Sequence, residues 1–395
     1  MNSKRTVGSY EKTSVAGENV SAFIPYPLPP DKPKLVLDDP AKTLLFRAEQ
    51  SLASLELAGA MIPSQDWFIY AFVRKEAVTS SQIEGTQATL MDLLTFEAEG
   101  RGAKKGDDVN IEEVCNYLDA LKYARRELGK EKGLPLSMRL LNETHKRLMK
   151  GVRGGNKRPG EIRRSQNWIG GTRPGTAAFV PPPPHVLQRC LGELEQYIHA
   201  TNSRDELPPL IRAGLIHVQF ETIHPYLDGN GRIGRLLIIL LLEHWGILSQ
   251  PLLYLSLFFK RHRSEYYRRL SEVRTQGDWE GWISFFLEGV ATIAGEAVSL
   301  ARDLFALVSR DRGIVLGSRE ATVIAVRLFE LLPLHPIVTM RGVVQLLDTT
   351  KPTAIKSIGI LEKVGILVER SGRKRDKTFG YAAYLEKLKS GTELS

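Results

Sequence analysis

Cysteine is scarce in this chain: two residues, Cys115 and Cys190, in 395. Both sit in amphipathic, helix-like contexts, EEVCNYLDAL and LQRCLGELEQY. That excludes a disulfide-stapled scaffold and points to buried thiols in a reducing compartment. Long apolar runs are missing too. The longest, Leu236 to Leu242, is far short of the roughly 20 residues that cross a bilayer. The opening MNSKRTVGSY has no apolar stretch of the signal-peptide type, and no internal repeat is visible. A soluble, cytoplasmic protein is the expectation. Acidic excess is also absent: 54 Lys and Arg against 45 Asp and Glu leave a net charge of +9 and a pI of about 9.4. A basic balance allows a nucleotide, a nucleic acid or an acidic protein as partner without choosing among them. Hydrophobic content of 43% and charged content of 25% are those of a globular protein.

The patterning is mainly helical. Residues 1–20 are polar and read as mobile. IPYPLPPDKPKLVLDDP reads as an extended, proline-punctuated strap. Apolar spacing predicts helices over about 41–60, 64–83 (ending near Gly85), through TQATLMDLLTFEAE, and over about 110–129 and 136–150. GGNKRPGEIRRSQNWIGGTRPGTAAFVPPPP breaks the pattern. Its glycines and prolines, with β-prone pieces at Asn167–Ile169 and Ala178–Val180, predict a hairpin or flap. Helices then resume to about residue 311. The last eighty residues read helix, turn, helix, glycine stop at Gly365, strand, basic turn, strand, which is winged helix-turn-helix order. Between Lys351 and Lys377, eight Lys/Arg and three Asp/Glu give +5 of the total charge. Residues 339–383 thus offer a surface for DNA phosphates or, equally, for a docking protein.

The densest chemistry lies in HPYLDGNGRIGR, His224 to Arg235. Proline disfavours the α region for His224 and ends the preceding helix. Gly229-Asn230-Gly231 forms a tight loop, and the next helix is expected to start near Gly231. Its first N–H groups lack intrahelical partners and form an anion site with the helix dipole. Arg232 and Arg235, three apart, flank that site on one face. Asp228 beside it would repel a bare phosphate unless a hard cation such as Mg²⁺ lies between them. An imidazole at His224 can take a hydroxyl proton near neutral pH. The following LLIILLL is apolar on every face, so the helix behind the loop should be a buried, rigid mount. Taken singly, His-Pro is a helix stop, DGNG a turn and the arginines a solvated face. Their combination in this order points to chemistry on phosphates.

This stretch resembles the signature HxFx(D/E)GNGRxxR of the Fic (filamentation induced by cAMP) family of protein AMP-transferases, with Tyr226 in the usual Phe position. The resemblance covers most of the chain, including the proline strap, the flap and a C-terminal winged helix seen in one bacterial branch. It implies a Fic-type helical core with a β-hairpin flap and a small C-terminal winged-helix domain. The implied organisation is a strap at 1–40, N-terminal helices at 41–108, a catalytic core at 109–311 and the winged-helix domain at 312–395. It implies AMP transfer from ATP to a Ser, Thr or Tyr hydroxyl of a target protein. His224 would be the general base and Asp228 the holder of Mg²⁺. Asp228, Gly229, Asn230, Gly231, Arg232, Ile233, Gly234 and Arg235 would bind the nucleotide, with the Asn230 side chain at the α/β-phosphates and Arg235 reaching the γ-phosphate. Tyr266, in RHRSEYYRRL, is a candidate for the adenine side, with plain helix packing as the alternative. The flap at 167–180 would pin the target by strand addition, and a second copy of the chain is a further candidate partner.

Upstream, SSQIEGT resembles the family's inhibitory motif (S/T)xxxE(G/N). Ser80 would brace the helix end, and Glu84 would pair with Arg235 in the γ-phosphate position. In some relatives the same Glu helps to remove AMP from targets. Relatives with Lys at the position of Gly231 are kinases that bind the nucleotide reversed, so Gly231 favours AMP transfer. The rival reading is a winged-helix DNA-binding regulator whose core only senses nucleotide. His224 argues against it, because a sensor needs the anion site but no base.

Overall fold

Alternating side chains in GSYEKTSV and ENVSAFIP build the first element, where a mobile segment was expected. In the computed structural model, which describes residues 5–61, 65–100, 109–200 and 207–394, β1 (Gly8–Val15) and β2 (Glu18–Pro25) pair antiparallel from Gly8↔Pro25 to Val15↔Glu18. Ala16 and Gly17, both at positive φ, close a two-residue turn, the geometry that matches strand twist. The polarity that suggests mobility is the exposed side of this ribbon. Its other side buries Val15, Val20 and Ala22 against Val180.

Helices then follow closely on the apolar spacing. They are α1 (Asp39–Met61), α2 (Gln65–Ile83), α3 (Leu90–Glu99), α4 (Val109–Leu128) and α5 (Met138–Leu148). The expected start of the second helix, at residue 64, lies outside the described residues. After the non-helical stretch come α6 (Leu187–His199), α7 (Pro209–Ile223), α8 (Asn230–His244), α9 (Ser256–Arg261), α10 (Arg263–Gln276) and α11 (Trp279–Gly317). Helix α7 starts on Pro209, a residue suited to a position whose N–H would be unpaired anyway. Fourteen of its fifteen residues are buried, as are twelve of the fifteen in α8. The two helices pack on each other, α7 also on α10 and α11, and α8 on α2, α4 and α5. The Trp282 indole N–H of α11 donates to Gly214 O of α7 at 2.9 Å. This all-round burial makes α7 and α8 the fixed frame for the loop between them.

Helix α11 passes straight through the boundary expected at 311/312, so the last eighty residues continue from a helix and not from a linker. It is long and apolar enough to cross a membrane by length and composition, but over half of its most apolar stretch is packed inside, chiefly along α1. Beyond it lie α12 (Val323–Leu331), β3 (Ile337–Thr339), α13 (Met340–Leu347), α14 (Lys351–Lys363), β4 (Leu367–Glu369), β5 (Thr378–Tyr381) and α15 (Ala382–Lys389). The strands form an antiparallel sheet in the order β3-β5-β4. The Tyr381 hydroxyl joins this unit to α11 by donating to Asp311 at 2.7 Å. Cys190 is buried, whereas Cys115, expected to be buried too, is only half-covered on α4.

Leu240, in the middle of α8, is fully buried. Leu240→Ala should lower stability by about 2–5 kcal/mol, the usual effect of a core truncation that leaves a cavity. The check is the urea midpoint followed by circular dichroism; an unchanged midpoint would contradict the account of α8 as a packed mount.

Candidate active site

The loop between α7 and α8 is shaped by backbone more than by side-chain charge. His224 caps α7 in the left-handed region, φ 50 and ψ 62, uncommon for a residue with a Cβ. Buried Arg163 holds it there. Its Nε donates to His224 O at 2.9 Å, its guanidinium also reaches Pro182 O, and its backbone N–H donates to Pro225 O at 2.9 Å. Nothing in GEIRRSQ singles out this arginine, because its partners on the loop, His224 and Pro225, lie some sixty residues away. The Asn230 side chain closes the other half of the loop. Its Oδ1 accepts from Tyr226 N–H and its Nδ2 donates to Tyr226 O, both at 2.8 Å. Both ends of the amide are thus engaged, so Asn230, expected at the phosphates, staples the loop through its side chain.

Tyr226 shows how the usual Phe is replaced. Its buried hydroxyl donates to Asn142 Oδ1 at 2.8 Å, the partner such a group requires. Its ring stacks on His145 with centroids 3.9 Å apart. His145 Nδ1 accepts from Gly160 N–H at 2.8 Å, so its proton is on Nε2, which donates to Asp228 O at 2.9 Å. Asn142 and His145 lie on α5, and no sequence signal ties them to the loop.

At the start of α8, Gly229 sits at φ 77 as the N-cap, and its N–H donates to Asp228 Oδ1 at 2.7 Å. Its carbonyl already takes the N–H of Ile233 at 3.1 Å. The first-turn N–H groups left without helical partners are those of Asn230, Gly231 and Arg232. Ile233, expected in the nucleotide site, is buried in the core with its N–H committed, so it has no group to offer. Gly234 is a packing position: a Cβ there would come within 2.4 Å of Glu221 Oε1.

Two arginines leave this first turn in different directions. Arg232 reaches Met149 Sδ at 3.4 Å and lies 3.9–4.0 Å from Asp228 and Glu113. Its Nε and Nη1 are buried without a hydrogen-bond partner. Orphaned donors of this kind suit an anionic oxygen. Arg235 runs to α2. Its Nη2 donates to Glu84 Oε1 at 2.7 Å and to Ser80 O at 2.8 Å, and its Nε donates to Ser80 Oγ at 3.0 Å. Glu84 lies directly over the helix start, where a Cβ on Gly231 would be 2.2 Å from Glu84 Oε1. The turn bearing Glu84 is anchored by Thr86, whose hydroxyl donates to buried Glu113, and by Arg153, which donates to Glu84 O at 3.3 Å. A carboxylate of the chain thus occupies the electropositive end of α8.

Asp228 keeps a third of its side chain exposed, with Lys157 Nζ 3.1 Å from Oδ2. Among the described residues no three His, Cys, Asp or Glu gather as a metal cage. One accessible carboxylate fits a hard cation shared with substrate phosphates better than a resident ion. The flap is joined where Ile169 and Phe179 exchange backbone bonds of 2.8 and 3.1 Å. The β1–β2 ribbon lies against it, with Phe23 N–H on Val180 O at 2.9 Å and Gly175 N–H on Glu18 at 2.9 Å. Trp168 stands half-exposed on it. Tyr266, the candidate for the adenine side, has its ring buried, as in the packing alternative, and its hydroxyl donates to His217 Nε2 at 2.9 Å. The exposed ring at this edge belongs to its neighbour Tyr267, 43% accessible.

Residues 43–126 match the Fic/DOC family N-terminal region, and residues 135–242 match the Fic/DOC family itself. Relatives named protein adenylyltransferase Fic, from Drosophila grimshawi and Drosophila virilis, are each 30% identical over 210 residues, 52% of this chain and 39% of theirs. The chain therefore spans about two fifths of the length of these relatives. A Fic family protein from Desulfovibrio desulfuricans G20 has a similar fold, with a TM-score of 0.55 and 19% identity over 88% of this chain and 97% of that one. A Fic domain containing signaling protein from Bacteroides thetaiotaomicron aligns with a TM-score of 0.51 and 18% identity, covering 65% and 95%.

Burial, aided by the nearby cations Arg274 and Arg163, pulls the His224 imidazole down to about 3. Burial likewise pulls His217 down to about 3. A lowered value means a neutral ring at and well below neutral pH. In ring-resolved NMR, neither should titrate between about pH 8 and pH 5, whereas an unperturbed imidazole would take its proton near 6.5. Titration of His224 within that window would contradict the desolvation of its ring.

Proposed function

With a Fic/DOC N-terminal region and a Fic/DOC domain in one chain as the premise, we propose that this protein is a protein adenylyltransferase that is held inactive by Glu84. The observation that carries the reading is the pairing of a neutral imidazole with an anion-seeking helix start across one short, stapled loop. The names borne by the relatives agree with it. In this reading residues 109–311 are the catalytic core. His224 accepts the proton of a Ser, Thr or Tyr hydroxyl as that oxygen attacks the α-phosphorus of ATP. The bond from the α-phosphorus to the bridging oxygen breaks, and pyrophosphate leaves with the electron pair. The N–H groups of Asn230, Gly231 and Arg232, with the free nitrogens of Arg232, meet the charge that builds on the phosphate oxygens. Asp228 would hold Mg²⁺, which offsets charge on the phosphates when bound. The flap at 167–180 would receive the target main chain.

Regulation follows from the same turn. Arg235 is the cation suited to the γ-phosphate, and Glu84 already occupies it. A nucleotide must compete with a charge-assisted bond supported by Ser80. Labelling with α-labelled ATP tests both halves. His224→Ala should lower transfer by about 10²–10⁴-fold, the usual range for a lost general base, with nucleotide binding retained. Glu84→Gly should raise transfer about ten- to a hundredfold, and Arg235→Ala should lower it in that background. Near-parental labelling by His224→Ala would remove the base assignment, and equal labelling by parent and Glu84→Gly would remove the inhibition.

For the C-terminal unit we favour a winged helix that contacts DNA. Lys351, Lys356, Lys374 and Arg375 are all exposed, on α14 and on the β4–β5 turn. The full chain should retard duplex DNA at low salt, with affinity falling steeply as salt rises. No retardation at low salt would favour a protein partner for this surface.

A further inference from the structure

Helix α2 presents Ser80 on its last turns and Glu84 just past its end, and three side chains around it hold a distant piece of chain. Lys75 is buried. Its ammonium donates to two main-chain carbonyls, Leu388 O at 3.2 Å and Ser390 O at 2.9 Å. Gln82, two residues before Glu84, uses one amide nitrogen twice. Nε2 donates to Ala88 O and to Thr392 O, both at 2.8 Å. That single group ties the loop after Glu84 to a segment 310 residues away. Lys260 on α9 donates to Gly391 O at 3.3 Å and to Glu393 O. Helix α9 is itself fixed to α2, because Ser256 N–H and hydroxyl both reach the buried Glu76 carboxylate.

Residues 388–393 therefore lie along α2 and α9. Thr392 is buried, and Gly391 sits at φ +83 where a Cβ would come within 2.7 Å of Leu257. The segment begins in the last turn of α15, so its position is tied to the C-terminal unit. That unit touches the N-terminal helices elsewhere through Arg373 on Glu99 at 2.8 Å.

We propose that residues 388–393 are a latch that fixes the end of α2, and with it Glu84, over Gly231, so that displacement of the C-terminal unit releases the inhibitory carboxylate. This rests on the reading that Glu84 inhibits. The latch explains why Gln82 bridges the Glu84 loop and the returning chain with one amide. With residues 388–393 withdrawn, Lys75 and Gln82 lose carbonyls that satisfy them in a buried setting. The last turn of α2 then frays, and Arg235 becomes free for a nucleotide.

Lys260→Ala and Gln82→Leu in the full chain test this through two readouts. Amide hydrogen exchange of residues 81–88 should quicken about tenfold in each variant, because local opening sets protection. AMP transfer should rise about five- to fiftyfold, within the usual span of coupling between sites of roughly 5–150-fold. Adding either change to Glu84→Gly should give no further rise, and Lys260→Arg should keep the parental exchange, which separates a lost latch from general damage. Parental exchange and parental labelling in both latch variants, with Glu84→Gly still activating, would overturn the latch and leave the inhibition standing. If Glu84→Gly itself fails to activate, the inhibitory reading falls and the regulatory role of the latch falls with it.

Discussion

Arg235 is a full positive charge with almost no access to water, and much of the structure answers to that fact. A buried guanidinium must be met by hydrogen bonds and by an opposite charge, or the fold bears its desolvation. Ser80 supplies two oxygens and Glu84 the charge. The pairing dictates where α2 ends, why Gly231 carries no side chain and why Thr86 and Arg153 pin the turn between α2 and α3. Glu84 is itself a third exposed, so the pair is open to solvent on the carboxylate side only. An incoming anion can approach Arg235 from that side alone.

Around this charge the loop is held by neutral groups. Arg163 is the exception in charge, yet it acts only on carbonyls. Asn230, Asn142, Tyr226 and His145 form a chain of bonds from α5 to the start of α8, and each is satisfied. Such fully paired buried networks fix one geometry. Arg232 is the contrast: its Nε and Nη1 are buried without hydrogen-bond partners, and they meet the phosphates in the proposed function.

What could be read from the sequence was what is local. The helix ends around the loop fall within a residue or so of expectation, because Pro225, Gly229 and the apolar run after it act on their immediate neighbours. Ser80 and Glu84 were legible as a spaced pair for the same reason. Arg163, His145 and the latch were not, since each works on chain far away and nothing in composition marks a carbonyl as an acceptor. Tyr266 and Tyr267 are adjacent and alike; only the side of α10 they face decides which is core. The β1–β2 ribbon was missed because strand alternation with polar residues resembles a polar tail. For Ile233 and Asn230 the motif names residues without saying whether the side chain or the backbone matters.

The continuity of α11 has a consequence for how strongly residues 388–393 compete for their groove. At 1.5 Å per residue its 39 residues form a rod about 58 Å long, with the C-terminal unit built on its far end and docked back on α3. The segment is thus presented to α2 and α9 from within the same molecule. Short tethers give effective concentrations on the order of millimolar. A handful of bonds to main-chain carbonyls suffices at that concentration. A competitor free in solution at micromolar levels would need about a thousandfold higher intrinsic affinity to occupy the groove. Occupancy of the groove is therefore governed by the geometry of the rod and sheet more than by the chemistry of the six residues it holds.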